Sequence, residues 1–371
     1  MDNINLLIIV TTISLFVSVL LTFFVLTVKT KHKISNVLFA AFLLLNAVDI
    51  SHPLFTDGPS NLGIFRTTLA FLQLPVFYLY VLSVCYADFK LKPKYLLHLI
   101  PFLVVNTTLL PRFYMVDTAA KINFIAHRRN MIELQFNHVL LLFQIVIYLA
   151  AIFMLLKKAK KLYLENYAGA SINAYHWVFQ FTSVLSFLYL IAILKNALKF
   201  SDYPYISEWI KIGISVFNLF MICWYLFKAL NHPDLFRKID SKLKLVSDLV
   251  LEQQLLAPEA LNEDILKLKQ YMSDEKPFLD PALTIQDIAK EINVPVRELS
   301  VLINHQLGQH FYDFVNTYRI ENAMVILKDP SKTKLTVLEI LYEVGFNSKS
   351  SFNTAFKKHT GYTPTNYRKN L

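Results

Sequence analysis

The chain has 371 residues, 55% of them hydrophobic and 17% charged, with two cysteines and a formal net charge of +10. Its mean hydropathy of +0.42 is too high for an average soluble globular protein, and Cys85 and Cys223 both fall in apolar stretches, which excludes a disulfide framework or a cysteine metal knuckle. The charge is uneven: residues 1–227 hold 18 Lys and Arg against 9 Asp and Glu, a net +9, while residues 228–371 hold 19 against 18, a net +1, so the basicity belongs to loops between apolar stretches.

Seven apolar spans occur in chain order, at 4–28, 34–50, 62–86, 95–110, 136–156, 177–198 and 209–230. A helix of about 20 apolar residues crosses about 30 Å of hydrocarbon. Residues 1–230 are therefore expected to form a seven-helix transmembrane region. The second and fourth spans are short and carry Asn46, Asp49 and Asn106, which leaves counts of six or five open. The first span opens with Asp2 and is too long for a cleaved signal peptide. Loops one, three and five carry Lys29, Lys31, Lys33, Lys90, Lys92, Lys94, Lys157, Lys158, Lys160 and Lys161, against Arg112, Lys121, Arg128, Arg129 and Lys199 in the even loops. Because cytoplasmic loops are enriched in Lys and Arg, the N-terminus is expected outside and the C-terminus in the cytoplasm.

Asp49, His52, Arg66, Lys195, Glu208 and Lys211 then map to the outer ends of the helices. Charges near hydrocarbon are costly and often line a polar cavity, so these six are candidates for a ligand pocket opening outward; snorkelling to the headgroups is the competing reading. His127, Arg128 and Arg129 in the outer loop 111–135 suit an anionic ligand or lipid phosphate. Gln73, Pro75, Gln144 and Gln180 suit switch points or interhelical hydrogen bonds.

A connector at 231–272 reads as two helices around Pro258. In the first, Ile239, Leu243, Val246, Val250 and Gln253 alternate spacings of four and three, a coiled-coil-like seam suited to dimerisation; an amphipathic helix on a membrane or domain surface fits equally. In the second, Leu261, Ile265, Leu268 and Met272 share a face that is expected to dock on the C-terminal region.

That C-terminal region, 273–371, is expected to be all-α. Val337, Ile340, Leu341 and Val344 recur at helical spacing, Gly345 can end that helix in a left-handed conformation, and Ser348 can cap the next. Phe352 and Phe356 then point inward, leaving Lys349, Ser350, Asn353, Thr354 and Lys357 outward, a face suited to a DNA major groove. An ordinary helical hairpin with a solvated polar face is the plainer alternative.

The stretch GFNSKSSFNTAFKKHTGYTP resembles the second helix-turn-helix unit of the AraC/XylS family of transcription regulators. The resemblance implies a first unit at about 284–305, found as TIQDIAKEINVPVRELSVLINHQLG, a linker helix at about 311–327 and a second unit at about 336–358. It also implies which residues face bases: Val296, Arg297, Ser300 and Val301 in the first unit, and Lys349, Ser350, Asn353 and Thr354 in the second. Arg297 suits guanine and Asn353 suits adenine, while Lys357, Lys358 and Arg368 suit phosphates. Two departures stand out: Val301 is apolar where many members are polar or basic, and Leu341 replaces the usual alanine at the helix crossing.

The expected function is therefore a membrane-embedded one-component regulator of the bacterial inner membrane, with no cofactor, metal or catalytic residue. Its expected partners are double-stranded promoter DNA, the lipid bilayer, a second copy in a homodimer, an unidentified ligand and RNA polymerase. A transporter with an attached regulator would show internal repeats and broken helices, and the spans show neither; a regulator released by proteolysis near Pro258 is the other alternative. An enzyme finds no nucleophile–base pair, metal cluster or phosphate loop in the sequence.

Overall fold

A computed structural model describes residues 3–27, 33–54, 60–86, 89–128, 130–168, 172–198, 204–231 and 258–369. The seam Ile239 to Gln253, together with Lys29, Lys31, Arg129 and Lys199, lies outside them, as does the side chain of Glu208. The described residues are helical with turns, and an isolated antiparallel bridge joins Tyr167 to Thr284. By contacts the chain divides into two compact units, Met1–Leu156 with Trp177–Lys238, and Lys157–His176 with Ile239–Leu371.

The first unit contains α1 (Asn3–Thr27), α2 (Lys33–Ile50), α3 (Asn61–Thr68), α4 (Ala70–Cys85), α5 (Ile100–Leu109), α6 (Thr118–Ala126), most of α7 (Ile132–Asn166), α8 (Ile172–Leu198) and α9 (Pro204–Asn231). Helix α1 packs along α2 and α9, and α2 along α4. Among the described residues, six helical stretches are long and apolar enough to cross a membrane; in α9 the apolar stretch is the shorter Trp209–Trp224.

The faces of α1 differ in residue size. Thr11, Ser14, Ser18 and Thr22 are buried, with Ser18 at 0% exposure, while Phe16 and Phe23 point out at 68% and 67%. The hydroxyls need no outside partner, because Ser14, Ser18 and Thr22 each donate to the carbonyl four residues earlier at 2.7 to 2.8 Å. Small hydroxyl residues at the helix contact with large apolar residues outside is the packing logic of helices in lipid. Phe39 and Phe42 of α2, Phe77 and Tyr80 of α4 and Phe181 of α8 form an aromatic core, with neighbouring ring centroids 4.9 to 6.4 Å apart.

Two features differ from the sequence reading. The loop expected at 111–135 contains α6, started by Asp117, whose carboxylate accepts from Ala120 N at 2.8 Å. Helix α7 runs ten residues past the expected span end at 156, and its extension from Lys157 groups with the second unit. That extension is rich in Lys and Leu, good helix formers, and carries a Lys161–Glu165 pair at 3.8 Å.

The second unit continues with α10 (Pro258–Asp274), α11 (Ile285–Glu291), α12 (Val296–Val301), α13 (Phe311–Lys328), α14 (Val337–Glu343), α15 (Lys349–Thr360) and α16 (Pro364–Lys369). A π-helical turn at Leu302–Gln306 prolongs α12. One apolar cluster gathers Leu268 and Met272 of α10, Ile285 and Ile288 of α11, Leu299 and Ile303; the second gathers Ile320 and Ala323 of α13, Ile340, Leu341, Phe352 and Phe356. Leu341 is 1% exposed, so the large residue at the crossing is accommodated inside the core.

Candidate DNA-binding site

Each helix pair is started and turned by local chemistry. Thr284 and Asp287 form a capping box on α11, and Thr336 and Glu339 form another on α14. Each box satisfies two end donors reciprocally and contributes about 1 kcal/mol. Between α11 and α12 the chain turns through Asn293, in the left-handed region at φ 53°. Between α14 and α15 it turns through Gly345 at φ 87°, and Ser348 caps α15 by accepting from Ser351 N at 3.4 Å.

Gly345 is required twice over. Its positive φ disfavours any Cβ, and a Cβ there would also run into the Phe278 carbonyl and come within 2.7 Å of Leu279 O. The loop into the first helix pair thus lies against the turn of the second.

The two outward faces differ. On α15, Lys349, Ser350, Thr354, Lys357 and Lys358 are exposed and Asn353 is half-buried. Lys358 is already paired, with Asp313 of α13 at 2.7 Å. On α12, Val296, Arg297 and Val301 are half-buried and Ser300 is only 3% exposed. One turn further, the Asn304 amide donates to Ser300 O at 2.9 Å and to Glu165 O at 3.3 Å, and its Oδ1 accepts from Phe311 N, holding the start of α13. A cleft of about 810 Å³ lies between α13, α15 and the last turns of α7, bordered by Lys160, His310, Asn316, Ser350 and Thr354.

Arg368, expected on a phosphate, is turned inward. Its Nη1 donates to Leu335 O at 2.7 Å, while Nε and Nη2 are buried. The helix α16 that carries it folds back on α15, so its side chain braces the entry to α14 rather than reaching outward.

A residue that the sequence reading did not single out joins the parts. Arg319 of α13 is 1% exposed and donates from Nε to Phe278 O at 2.7 Å, from Nη2 to Asp280 O at 2.7 Å, and from Nη1 to Ala168 O at 2.8 Å and Asn316 Oδ1 at 3.3 Å. Its guanidinium also lies 5.5 Å from the Phe346 ring centroid. Burial pulls it down to about 10, so it remains charged at neutral pH, with Tyr312 and Asp280 opposing that pull. A lone Arg in an otherwise apolar helical stripe was the available signal.

In the first unit, the expected outer-pocket residues fall into two sets. Asp49 hydrogen-bonds Gln73 and lies within the fields of Lys195, His52 and Arg66, and Tyr189 donates to the same Gln73 at 3.1 Å. Lys211 is half-buried on α9. Gln144 donates to Phe71 O at 2.8 Å and Asn46 to Asn218 at 3.3 Å, so these polar residues serve interhelical bonds.

Residues 288–370 match the family model described as a helix-turn-helix domain. The chain is 26% identical over 115 residues to the Msm operon regulatory protein of Streptococcus mutans, covering 30% of this chain and 40% of that protein. It is 29% identical over 90 residues to the melibiose operon regulatory protein of Escherichia coli, covering 24% and 29%. Among solved structures, the C-terminal domain of AraT, a response regulator from Geobacillus stearothermophilus, is 33% identical, covering 29% of this chain and 84% of that one at a TM-score of 0.26. The chain spans 40% and 29% of the two curated relatives' length, and the family model places the helix-turn-helix likeness in the C-terminal region. That region is a helix-turn-helix domain of the kind found in transcriptional regulators.

Proposed function

We propose that the protein is a membrane-embedded one-component transcription regulator of the AraC/XylS type. Residues 1–230 form a seven-span sensor, 231–272 the connector and 273–371 the DNA-binding domain, with the N-terminus outside and the domain in the cytoplasm. The observation that carries the DNA-binding reading is α15: a capped helix, anchored by Phe352 and Phe356, that presents Lys349, Ser350, Thr354 and Lys357 to solvent. Such a face enters a major groove with its N-terminal residues on base edges and its later lysines on phosphates. Helix α13, 18 residues and so about 27 Å long, holds the two units at a separation close to one turn of duplex, about 34 Å.

The membrane reading is supported by α1, in which Thr11, Ser14, Ser18 and Thr22 are buried while Phe16 and Phe23 face out. The cluster of Asp49, His52, Arg66 and Lys195 supports an external ligand, with a homodimer and RNA polymerase as further partners. The test is footprinting of the host's own upstream DNA by the full-length protein in lipid nanodiscs at two salt concentrations. Protection that weakens with salt is expected; no protection of any duplex at either concentration overturns the reading. For the sensor, Arg66→Ala and Lys195→Ala are expected to abolish a promoter-reporter response while footprints persist; unchanged responses in both overturn the pocket.

A further inference from the structure

We propose that the end of α7 is an intramolecular clamp on the DNA face of the first helix-turn-helix unit, so that full DNA binding requires its displacement. This rests on the DNA-binding reading above and adds its regulation. The segment from Lys157 packs into the second unit at three points. Asn304, on the face that carries Arg297 and Ser300, donates to Glu165 O at 3.3 Å. Tyr167 bridges Thr284, the cap of α11, and Ala168 N donates to Leu283 O at 3.2 Å. Ala168 O accepts from Arg319 Nη1 at 2.8 Å.

Around these bonds Ala159, Leu162, Tyr163 and Glu165 are at most 1% exposed, and Ala168 belongs to the apolar core of the first helix-turn-helix unit. Ser300, which should face bases, is buried at 3% where its counterpart Asn353 on α15 is half-buried, and Arg297 and Val301 are half-buried where their counterparts Ser350 and Thr354 are exposed. The major groove is about 12 Å wide and a helix with its side chains fills about 10 to 12 Å of it. The Asn304–Glu165 bond holds the α7 extension beside this face, where it competes with DNA for that space.

The structure therefore has one reading head open and one covered. DNA meeting it engages α15 alone, and the two-unit grip forms only when the α7 extension leaves. The covering segment is the continuation of the helix whose earlier part, from Ile132, is an apolar span. A change in that span has a direct covalent route to the clamp, independent of the connector. One of the three points, where Tyr167 and Ala168 pair with Thr284 and Leu283, is main chain to main chain at the helix end, where fraying is easiest.

The test uses the full chain in nanodiscs with duplexes selected from a random pool by the Tyr163→Ala variant. Tyr163→Ala and Leu162→Ser loosen the clamp without touching a DNA-facing residue. Each is expected to bind the selected duplexes roughly 5- to 150-fold more tightly than the unaltered chain, the span of typical coupling between sites. Footprints should lengthen from one major groove to two. Hydrogen exchange on the unaltered protein supplies a readout that does not depend on either variant folding: saturating DNA should speed exchange at residues 159–168. Equal affinities with identical footprints, or unchanged protection of 159–168 on DNA binding, overturn the clamp while leaving DNA binding intact. Failure of every form to bind any duplex overturns the DNA-binding reading itself.

Discussion

Replacing Arg319 with methionine tests the central packing argument. The change keeps an unbranched side chain of similar reach and removes bonds to three main-chain carbonyls and Asn316. The Asp280 bond is only partly buried, so water replaces it at little cost; Phe278 O and Ala168 O are buried acceptors that would lose a partner. Each such loss costs about 1 to 3 kcal/mol, and relief from burying a charge returns about 1 to 2 kcal/mol. The expected loss is about 2 to 4 kcal/mol, a large share of the roughly 5 to 15 kcal/mol that typically holds a domain together. Because a two-unit chain does not unfold in one step, amide exchange in the full-length protein is the suitable assay. Protected amides of α13 and of the 278–284 loop should exchange roughly 30- to 1000-fold faster, since each 1.4 kcal/mol is tenfold. Arg319→Lys should fall between, because an ammonium cannot span carbonyls on opposite sides of a planar fork. A change under about threefold in the methionine variant would refute the claim that Arg319 ties the loop to the linker helix.

Gly345→Ala should lower the melting temperature of the second unit, through about 1 to 2 kcal/mol of left-handed backbone strain together with collision against the Phe278 and Leu279 carbonyls; an unchanged melt by circular dichroism would count against that close approach. Asn353→Ala should cost about 1 to 3 kcal/mol and relax preference at one base position, seen by anisotropy against a panel of single-base variants, and a uniform loss across the panel would assign it to the backbone. Lys357→Ala should weaken all duplexes alike and flatten the salt dependence by about one unit of slope, whereas Arg368→Ala should leave that slope alone because its guanidinium is spent on Leu335 O. His310 is pushed below the ordinary histidine value by burial, with Lys161 and Lys358 adding to this and Asp313 opposing it. Its folded form therefore resists protonation: stability is fully present above about pH 6.5 and is lost as pH falls through the lowered folded value, a loss that His310→Asn should remove from the pH dependence of exchange in α13.

The helix-turn-helix units were legible because their signals are local. A four-residue apolar spacing, a glycine at the turn and a serine cap lie within about a dozen residues of one another, and the structure builds Ile340, Gly345 and Ser348 into those roles. The capping boxes were legible too, as Thr-x-x-Asp and Thr-x-x-Glu, though the sequence reading did not use them. Arg319 was not, because its partners lie 39, 41 and 151 residues away, and no local pattern marks which carbonyls a long side chain will find. Arg368 misled for the same reason: its charge suggested a phosphate, and only the return of α16 onto α15 shows the carbonyl it reaches.

The first unit inverts the usual evidence. In water, an amphipathic pattern of charged and apolar residues tells which face of a helix is buried; α1 carries no charged residue, so no such pattern marks its faces. What distinguishes them is size: Thr11, Ser14, Ser18 and Thr22 fall on one stripe, and the phenylalanines fall off it. Small-residue stripes therefore locate helix contacts where hydrophobicity is silent. In α7 the pattern changes within one helix, from apolar residues to the run Lys157, Lys158, Lys160 and Lys161 interleaved with Ala159, Leu162 and Tyr163. The proposed place at a membrane edge would account for the charge of those lysines. It does not account for the buried residues between them, and those are what allow the same turns to pack against a helix-turn-helix unit.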